Sequence, residues 1–370
     1  MARNHRRITA TELARDLGVS RATIDRALNG RGRINEETRS RIVARAGDLG
    51  YKPNLSARAL ALTRPFRITA IIPELPTAFF SQMYRGVREA ADGFADHPFE
   101  VTCLRTEHHD LETQLRLLGE IDENGCDGLI LVPSDERALN AEIDRLVAAG
   151  VRVVCINSDA PGSRRHTFIG QDFHRGGRVA AEVLGKLIGG GGPVGTTAGS
   201  LRPPGADRVE ASVFAVGGYP EIFAHRRRLE GFLDEFREFF PGIRTITGPP
   251  CYDEPELAYQ AVANILDEDE TVRGVFTSTG AGTLGILRAL RELRERAPDR
   301  AVRFVGFDLL PESREGLQSG EIDAIVEQNP FRQGAEAVAL MHRAFVLQDS
   351  DHPTTIFTDL TVTMRNHLAE

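Results

Sequence analysis

The chain is 370 residues long and 41% apolar, enough for two or three domains with cores of their own. Its net charge of −8 conceals an asymmetry: residues 1–64 hold fourteen Arg or Lys against six Asp or Glu, and the remainder thirty-one against forty-seven. No stretch approaches the run of about eighteen apolar residues that a membrane span needs, and MARNHRRITATE lacks the apolar segment of a signal peptide. Membrane and secreted classes are disfavoured and a cytoplasmic location is expected.

In chain order, Thr9-Ala10-Thr11-Glu12 comes first. It has the capping-box spacing, in which the Thr hydroxyl and the Glu carboxylate satisfy amide donors left free at a helix start, so a short helix is predicted from Ala10. Leu13, Ala14 and Leu17 share one face of it, and Gly18 supplies the positive φ of a tight stop. Ser20 can cap a second helix from about Arg21 to Leu28. Its periodicity turns Ile24, Ala27 and Leu28 inward and Arg21, Ala22, Asp25, Arg26 and Asn29 outward. Two helices joined by a short Gly-containing turn form a helix-turn-helix. The basic charge confined to this end draws phosphates to it and not to the acidic body. A third helix, Glu36 to Leu49, is capped by Asn35, stopped by Gly50, and closes the small core with Ile42, Val43 and Ala46. Pro53 then opens a short run to Ala61 with little to bury by itself.

The stretch ITATELARDLGVSRATIDRALNGRGRINEETRSRIVARAGDLGYKPNLSARALA resembles the head and hinge of the lactose-repressor and galactose-repressor (LacI/GalR) family of bacterial transcription regulators. The resemblance implies a second helix in the major groove of a double-stranded operator. It places Arg21, Ala22 and Arg26 at base edges and Ser20, Thr23 and Asn29 nearer the phosphates, with Thr9 and Asn54 in the same contact set. A guanidinium can give guanine two parallel bonds, which singles out Arg26. Asp25 departs from the family's usual Ser and either accepts from a cytosine amino group, pairs with a neighbouring Arg, or weakens binding. Paired hinge helices are implied in the minor groove, with Leu60 as a wedge between base steps and Ala57 beside it; an ordinary amphipathic linker is the alternative. The implied assembly is a homodimer, a repressor on a near-palindromic site. Residues 1–52 are expected to be the DNA-binding domain, 53–64 the hinge, and 65–370 a two-lobed effector-binding and dimerisation domain.

From Phe66 onward short apolar runs alternate with longer amphipathic ones, the pattern of α/β layers around parallel sheets. Strands are predicted at 68–72, 100–104, 128–132, 153–156, 167–169, 193–197, 244–247, 274–277, 303–307 and 324–327. Helices are predicted at 81–95, 110–124, 137–149, 173–188, 224–239, 254–266, 282–296, 311–319 and 330–347. Cys103, Cys126, Cys155 and Cys251 have neither zinc-ligand nor dithiol spacing and read as buried thiols, and no metal or cofactor is expected. The resemblance implies a periplasmic-binding-protein-like body of type I, in which the chain crosses three times between two lobes and a small ligand sits in the cleft. The crossings are expected near 171–174, 306–308 and 328–332. One lobe then holds 65–170 and 308–329, and the other 173–306 and 332–370. Residues 348–370 contain Pro353 and a strand-like 354–364 instead of a heptad tail, which argues against a tail-mediated tetramer.

Ligands in open α/β sheets bind beyond the carboxyl ends of strands. After the first strand, Phe79 and Phe80 offer flat faces to a sugar ring, with core packing the alternative for one of them, and Thr77 replaces the Asn of related sugar binders. After the fourth strand, Asn157-Ser158-Asp159 stands where sugar binders carry Asp-Arg, so Asn157 and Asp159 indicate a different hydroxyl pattern or ligand class. Asp308 and Gln328 follow later strands at positions that in the family meet ligand hydroxyls. Arg226 resembles the first Arg of a ligand-reaching helix, with a solvated helix start as the alternative, and Gln171 and Asp172 serve the hinge or the ligand. This set implies a sugar, polyol or cyclitol effector.

Two rivals remain. Thr277 to Gly285 contains GxGxxG between a predicted strand and a predicted helix, the fingerprint of a nicotinamide-dependent oxidoreductase. Against it, the acidic residue Asp308 comes late and no nucleophile motif accompanies it; in the binding-protein reading the same turn, with Thr279, meets the ligand. The second rival keeps the fold but answers to a protein co-regulator. Finally, residues 201–224 are longer than the few residues with which the family crosses here. Their apolar Val213 to Val216 argue for a packed segment, expected as a flap over the cleft or an added dimer contact.

Overall fold

Leu13, Ala14, Ile24, Ala27, Ile42 and Ala46 form the buried centre of a three-helix head in the computed structural model, which describes residues 8, 10–29, 34–49, 64–75, 78–121, 125–189, 211–349 and 351–368. By contact, the chain divides into one unit of Met1–Phe66, Gly93–Glu100 and Ala339–His352 and a larger one of Arg67–Asp92, Val101–Val338 and Pro353–Glu370.

The head helices are α1 (Ala10–Leu17), α2 (Arg21–Asn29) and α3 (Glu36–Asp48). Gly18 takes φ +66°, and the Val19 amide donates to the Ala14 carbonyl at 3.0 Å, which closes α1 as an αL stop does. Ser20 Oγ accepts from the Thr23 amide at 3.1 Å and so caps α2. Asn35 Oδ1 does the same for α3, from the Glu37 amide at 2.9 Å. Arg45 reaches both carboxylate oxygens of Asp16, at 2.7 and 3.3 Å, and ties α3 to α1. Val43 does not close the core. It is 50% exposed because it lies a third of a turn from buried Ile42. Thr9 and the hinge residues Asn54, Ala57 and Leu60 lie outside the described residues.

The body holds two six-stranded sheets. The first contains β1 (Phe66–Glu74), β2 (Phe99–Glu107), β3 (Gly128–Leu131), β4 (Arg152–Ile156), β5 (Thr167–Gly170) and β11 (Thr355–Phe357), in the order β11-β5-β4-β3-β1-β2. The second contains β6 (Ala211–Val216), β7 (Ile243–Thr247), β8 (Val272–Thr277), β9 (Arg303–Phe307), β10 (Ala324–Glu327) and β12 (Thr361–Thr363), in the order β12-β10-β9-β8-β6-β7. Alternation along each strand feeds two helical layers. Val213, Ala215, Phe276, Val305, Phe307, Ala324 and Val326 pack with the Phe173–Leu187 and Phe223–Phe239 helices. Phe214, Val216, Val275, Phe304 and Ile325 face the Pro255–Glu268, Thr283–Arg296 and Pro311–Ser319 helices. Among the described residues no helix is long and apolar enough to cross a membrane.

Strand pairing redraws the predicted lobes. β9 and β10 pair in parallel in the second sheet, so the chain does not cross at 306–308, and 308–329 does not join the first lobe. Crossings follow β5 at 171–172, β10 at 328–329, and β11 at 358–360, because β11 pairs with β5 and β12 with β10. The single strand-like tail is therefore two strands in two sheets. The Pro330–His342 helix belongs with the first sheet's layer: a Cβ on Gly86 would meet the Phe331 carbonyl at 2.1 Å, and one on Gly334 the Met83 carbonyl at 2.4 Å. The α-helix ends there and a π-helical turn, Arg343–Leu347, completes the predicted 330–347 run.

Of the expected flap, residues 201–210 lie outside the described residues, and the remainder is corrected. Val213 to Val216 are buried in β6, which runs between β7 and β8, and the following helix starts at Phe223. The predicted strand at 193–197 lies outside the described residues. Of the four thiols, Cys155 and Cys251 are buried, whereas Cys103 and Cys126 are only partly so.

Candidate functional site

The head presents an exposed face. Arg21, Ala22 and Arg26 are exposed and Thr23 is partly so. Ser20 and Thr23 share a hydroxyl contact of 2.8 Å, and Arg26 Nε donates to the Ala22 carbonyl at 3.1 Å, which folds the guanidinium along α2. Asp25 and Asn29 are described in backbone only.

In the body, strand ends from both sheets converge on a cleft. Phe79 and Phe80 line it beside β1, their rings edge to face at 5.1 Å, and Asn157 lines it after β4. From the second sheet come Thr279, Asp308 and Gln328. Asn157 Nδ2 donates to Gln328 Oε1 at 3.3 Å, and Gln328 Nε2 to Asp308 Oδ1 at 2.7 Å, a chain that bridges the sheets. Asn157, Asp253 and Asp308 hold φ of +60°, +59° and +67°, a region that non-glycine residues rarely adopt and that gathers at functional sites. Gly280 permits the turn beside Asp308, since a Cβ there would lie 2.9 Å from the Asp308 Cβ.

The arginine that reaches the cleft is Arg228, not Arg226. Arg226 pairs with Glu136 and Glu230. Two residues further along the helix, Arg228 turns inward, 1% exposed, with its guanidinium 4.1 Å from the Phe307 ring centre. Nη1 donates to the Ser278 carbonyl at 3.1 Å, while Nε and Nη2 find no partner among the described residues. Burial lowers its pKa to about 10, although Asp308 and Asp253 pull it upward. Burial raises that of Asp308 against the opposing pull of Arg228 and Gln328.

Three other expected residues serve the scaffold. Asp159 is held by Arg165, whose Nη2 donates to Oδ2 at 2.7 Å. Asp172 caps the Phe173–Leu187 helix by accepting from the Arg175 amide at 3.1 Å. Gln171 donates to the Glu327 carbonyl at 2.9 Å, a tie between crossings. Thr77 lies outside the described residues.

Sequence reasoning missed His109, Ser158, His225 and Asp253, all of which line the cleft. Thr279 Oγ1 donates to Asp253 Oδ1 at 2.7 Å, and His109 Nε2 stands 3.6 Å from Asp253 Oδ2. Burial pushes the Asp253 carboxyl up, but His225, His109 and Thr279 outweigh it and leave a pKa of about 2. Burial pushes His225 down to about 4, and its Nδ1 accepts from the Tyr219 amide at 3.0 Å. The rule that nominated Asn157 and Asp308 also covers the segments after β2 and β7, which hold His109 and Asp253.

Residues 68–347 match the family model of a periplasmic binding protein domain, and residues 9–54 that of the bacterial regulatory proteins of the lacI family. Catabolite control protein A of Priestia megaterium is 22% identical over 304 residues, 81% of this chain and 82% of that protein. The ribose operon repressor of Halalkalibacterium halodurans is 24% identical over 311 residues, 82% and 81% respectively. Among solved structures, GanP, a glucose-galactose binding protein from Geobacillus stearothermophilus, matches with a TM-score of 0.70 at 22% identity, covering 83% of this chain and 99% of that one. At that identity the likeness concerns the fold alone.

Proposed function

We propose that the chain, which belongs to the lacI family of bacterial regulatory proteins, is a DNA-binding repressor whose grip on its operator is set by a small uncharged sugar, polyol or cyclitol in the body cleft. The observation that carries the effector reading is Arg228, a buried guanidinium that lines a cleft built from both sheets and has two donors without partners among the described residues. An unmet buried donor costs about 1–3 kcal/mol, so an effector oxygen that accepts from it is favoured by a similar amount. With Asp253 and Asp308 in the same walls, an anionic effector is disfavoured and a hydroxylated neutral one suits the mixture of donors and acceptors.

A homodimer would set two heads on the half-sites of a near-palindromic operator. Arg21, Ala22 and Arg26 would read bases, with Ser20, Thr23 and Asn29 nearer the phosphates. The hinge would follow with Leu60 at the operator centre and Ala57 beside it. The effector touches both sheets and therefore favours one lobe arrangement over the other; that preference is the only route by which it can alter operator affinity. The glycines of the rival oxidoreductase motif have packing roles, since a Cβ on Gly285 would meet the Pro255 carbonyl at 1.8 Å. A thermal-shift screen of sugars, sugar acids, cyclitols and NAD at one salt concentration tests the reading. Ligand at 100 times its dissociation constant should add about 2.7 kcal/mol of stability. A response to neutral polyols is expected; a response confined to NAD or to acids would contradict the reading.

A further inference from the structure

We propose that His109, braced by Asp253, is the residue that sets effector size: the pair bridges the two lobes at one wall of the cleft, admits a single sugar or cyclitol ring, and offers that ring one hydrogen-bonding nitrogen for a terminal hydroxyl. The inference rests on the polyol reading above and concerns a pair of residues contributed by opposite lobes. His109 follows β2 of the first sheet and Asp253 follows β7 of the second, and each side chain is 7% exposed at their 3.6 Å approach.

The partners on each side fix the pair in place. Asp253 is held by the Thr279 hydroxyl at 2.7 Å and by a backbone at φ +59° that is costly outside glycine. The His109 ring lies edge-on to Phe80 at 6.1 Å and to Tyr219 at 5.3 Å, and Tyr219 in turn meets the exposed Tyr252 at 5.3 Å. The bridge thus stands between the ring-binding phenylalanines and the tyrosines that lead to solvent. A ligand extended by a second ring toward that side would have to displace it.

The bridge also settles which ring nitrogen is free. Nε2 is the nitrogen that faces Asp253, which leaves Nδ1 to meet a ligand. Nδ1 is buried and has no partner among the described residues. Arg228 supplies only donors elsewhere in the cleft, so the favoured ligand shows oxygen acceptors to Arg228 and a hydroxyl, which can donate or accept, to His109. A single hydroxylated ring meets both demands.

The test uses the full chain and its His109→Ala, His109→Asn and Asp253→Asn variants. D-ribose, D-arabinose, D-glucose, D-galactose and myo-inositol serve as single-ring probes, and lactose, melibiose and maltose as two-ring probes. Calorimetric affinities are read after circular dichroism has shown each variant folded. The wild type is expected to bind a single-ring probe and reject the two-ring probes. His109→Ala should lose tenfold or more for that ring and gain measurable binding of a two-ring probe. His109→Asn, which keeps a hydrogen-bonding group but not the bulk, should regain part of the single-ring affinity. A wild type that binds one ring, with His109→Ala and Asp253→Asn unchanged in affinity and selectivity, would overturn the inference and leave the polyol reading standing. A wild type silent to every probe would overturn both.

Discussion

Arg228 shows where residue identity outruns sequence pattern. Arg226, Arg227 and Arg228 are adjacent, and a charge run at a helix start does not say which member faces inward. Packing decides it: Arg228 lies against the Phe307 and Phe173 rings, while Arg226 and Arg227 reach Glu230. Arg228→Ala should abolish effector response while leaving operator affinity intact; filter binding with and without effector checks it, and a normal response would return the role to Arg226. In the head, Arg26→Ala should relax base preference at one operator position by about 1–3 kcal/mol, read from a library of single-base operator variants. Two histidines make stability depend on pH. His225 and His342 are pushed from 6.5 down to about 4, mainly by burial, so the unfolded chain takes up their protons first. Their contribution is complete above pH 6.5 and is lost as pH falls toward 4. Urea denaturation between those limits should show falling stability, and His342→Gln should flatten the slope.

At the scale of elements, most strands and helices were legible because apolar period and caps are local. The Pro311–Ser319 helix runs from its proline to the residue before Gly320, which takes φ +77°. What was not legible is which sheet a strand joins, since the alternation along β10 and β11 is the same whichever neighbour they pair with. β6 was misread for a related reason. Its short run Val213 to Val216 follows a glycine- and proline-rich stretch, so it reads as part of a loop although it is buried on both faces. The Phe173–Leu187 and Phe223–Phe239 helices depend on two glycines for their approach. A Cβ on Gly177 would meet the Arg228 carbonyl, and one on Gly231 the His174 carbonyl, each at 2.0 Å. Gly177→Ala should therefore cost about 1–3 kcal/mol by overpacking, seen as a lower urea midpoint. It should also weaken effector binding, because the displaced backbone carries Arg228.

At the scale of the molecule, composition separated a basic head from an acidic body, and the family matches fall on the same division, 9–54 and 68–347. That separation makes DNA affinity a property of the head's cations, and it should fall steeply with salt. Effector affinity, set inside a buried cleft by an uncharged ligand, should hardly change over the same range. The central claim joins the two ends of the chain, and the most direct test is one titration. An operator selected from random duplexes by the purified protein is titrated at fixed salt, with and without the sugar or polyol that most stabilises the chain. The account predicts at least a tenfold loss of operator affinity in the presence of that compound. Equal affinities, with the compound saturating the cleft, would contradict it.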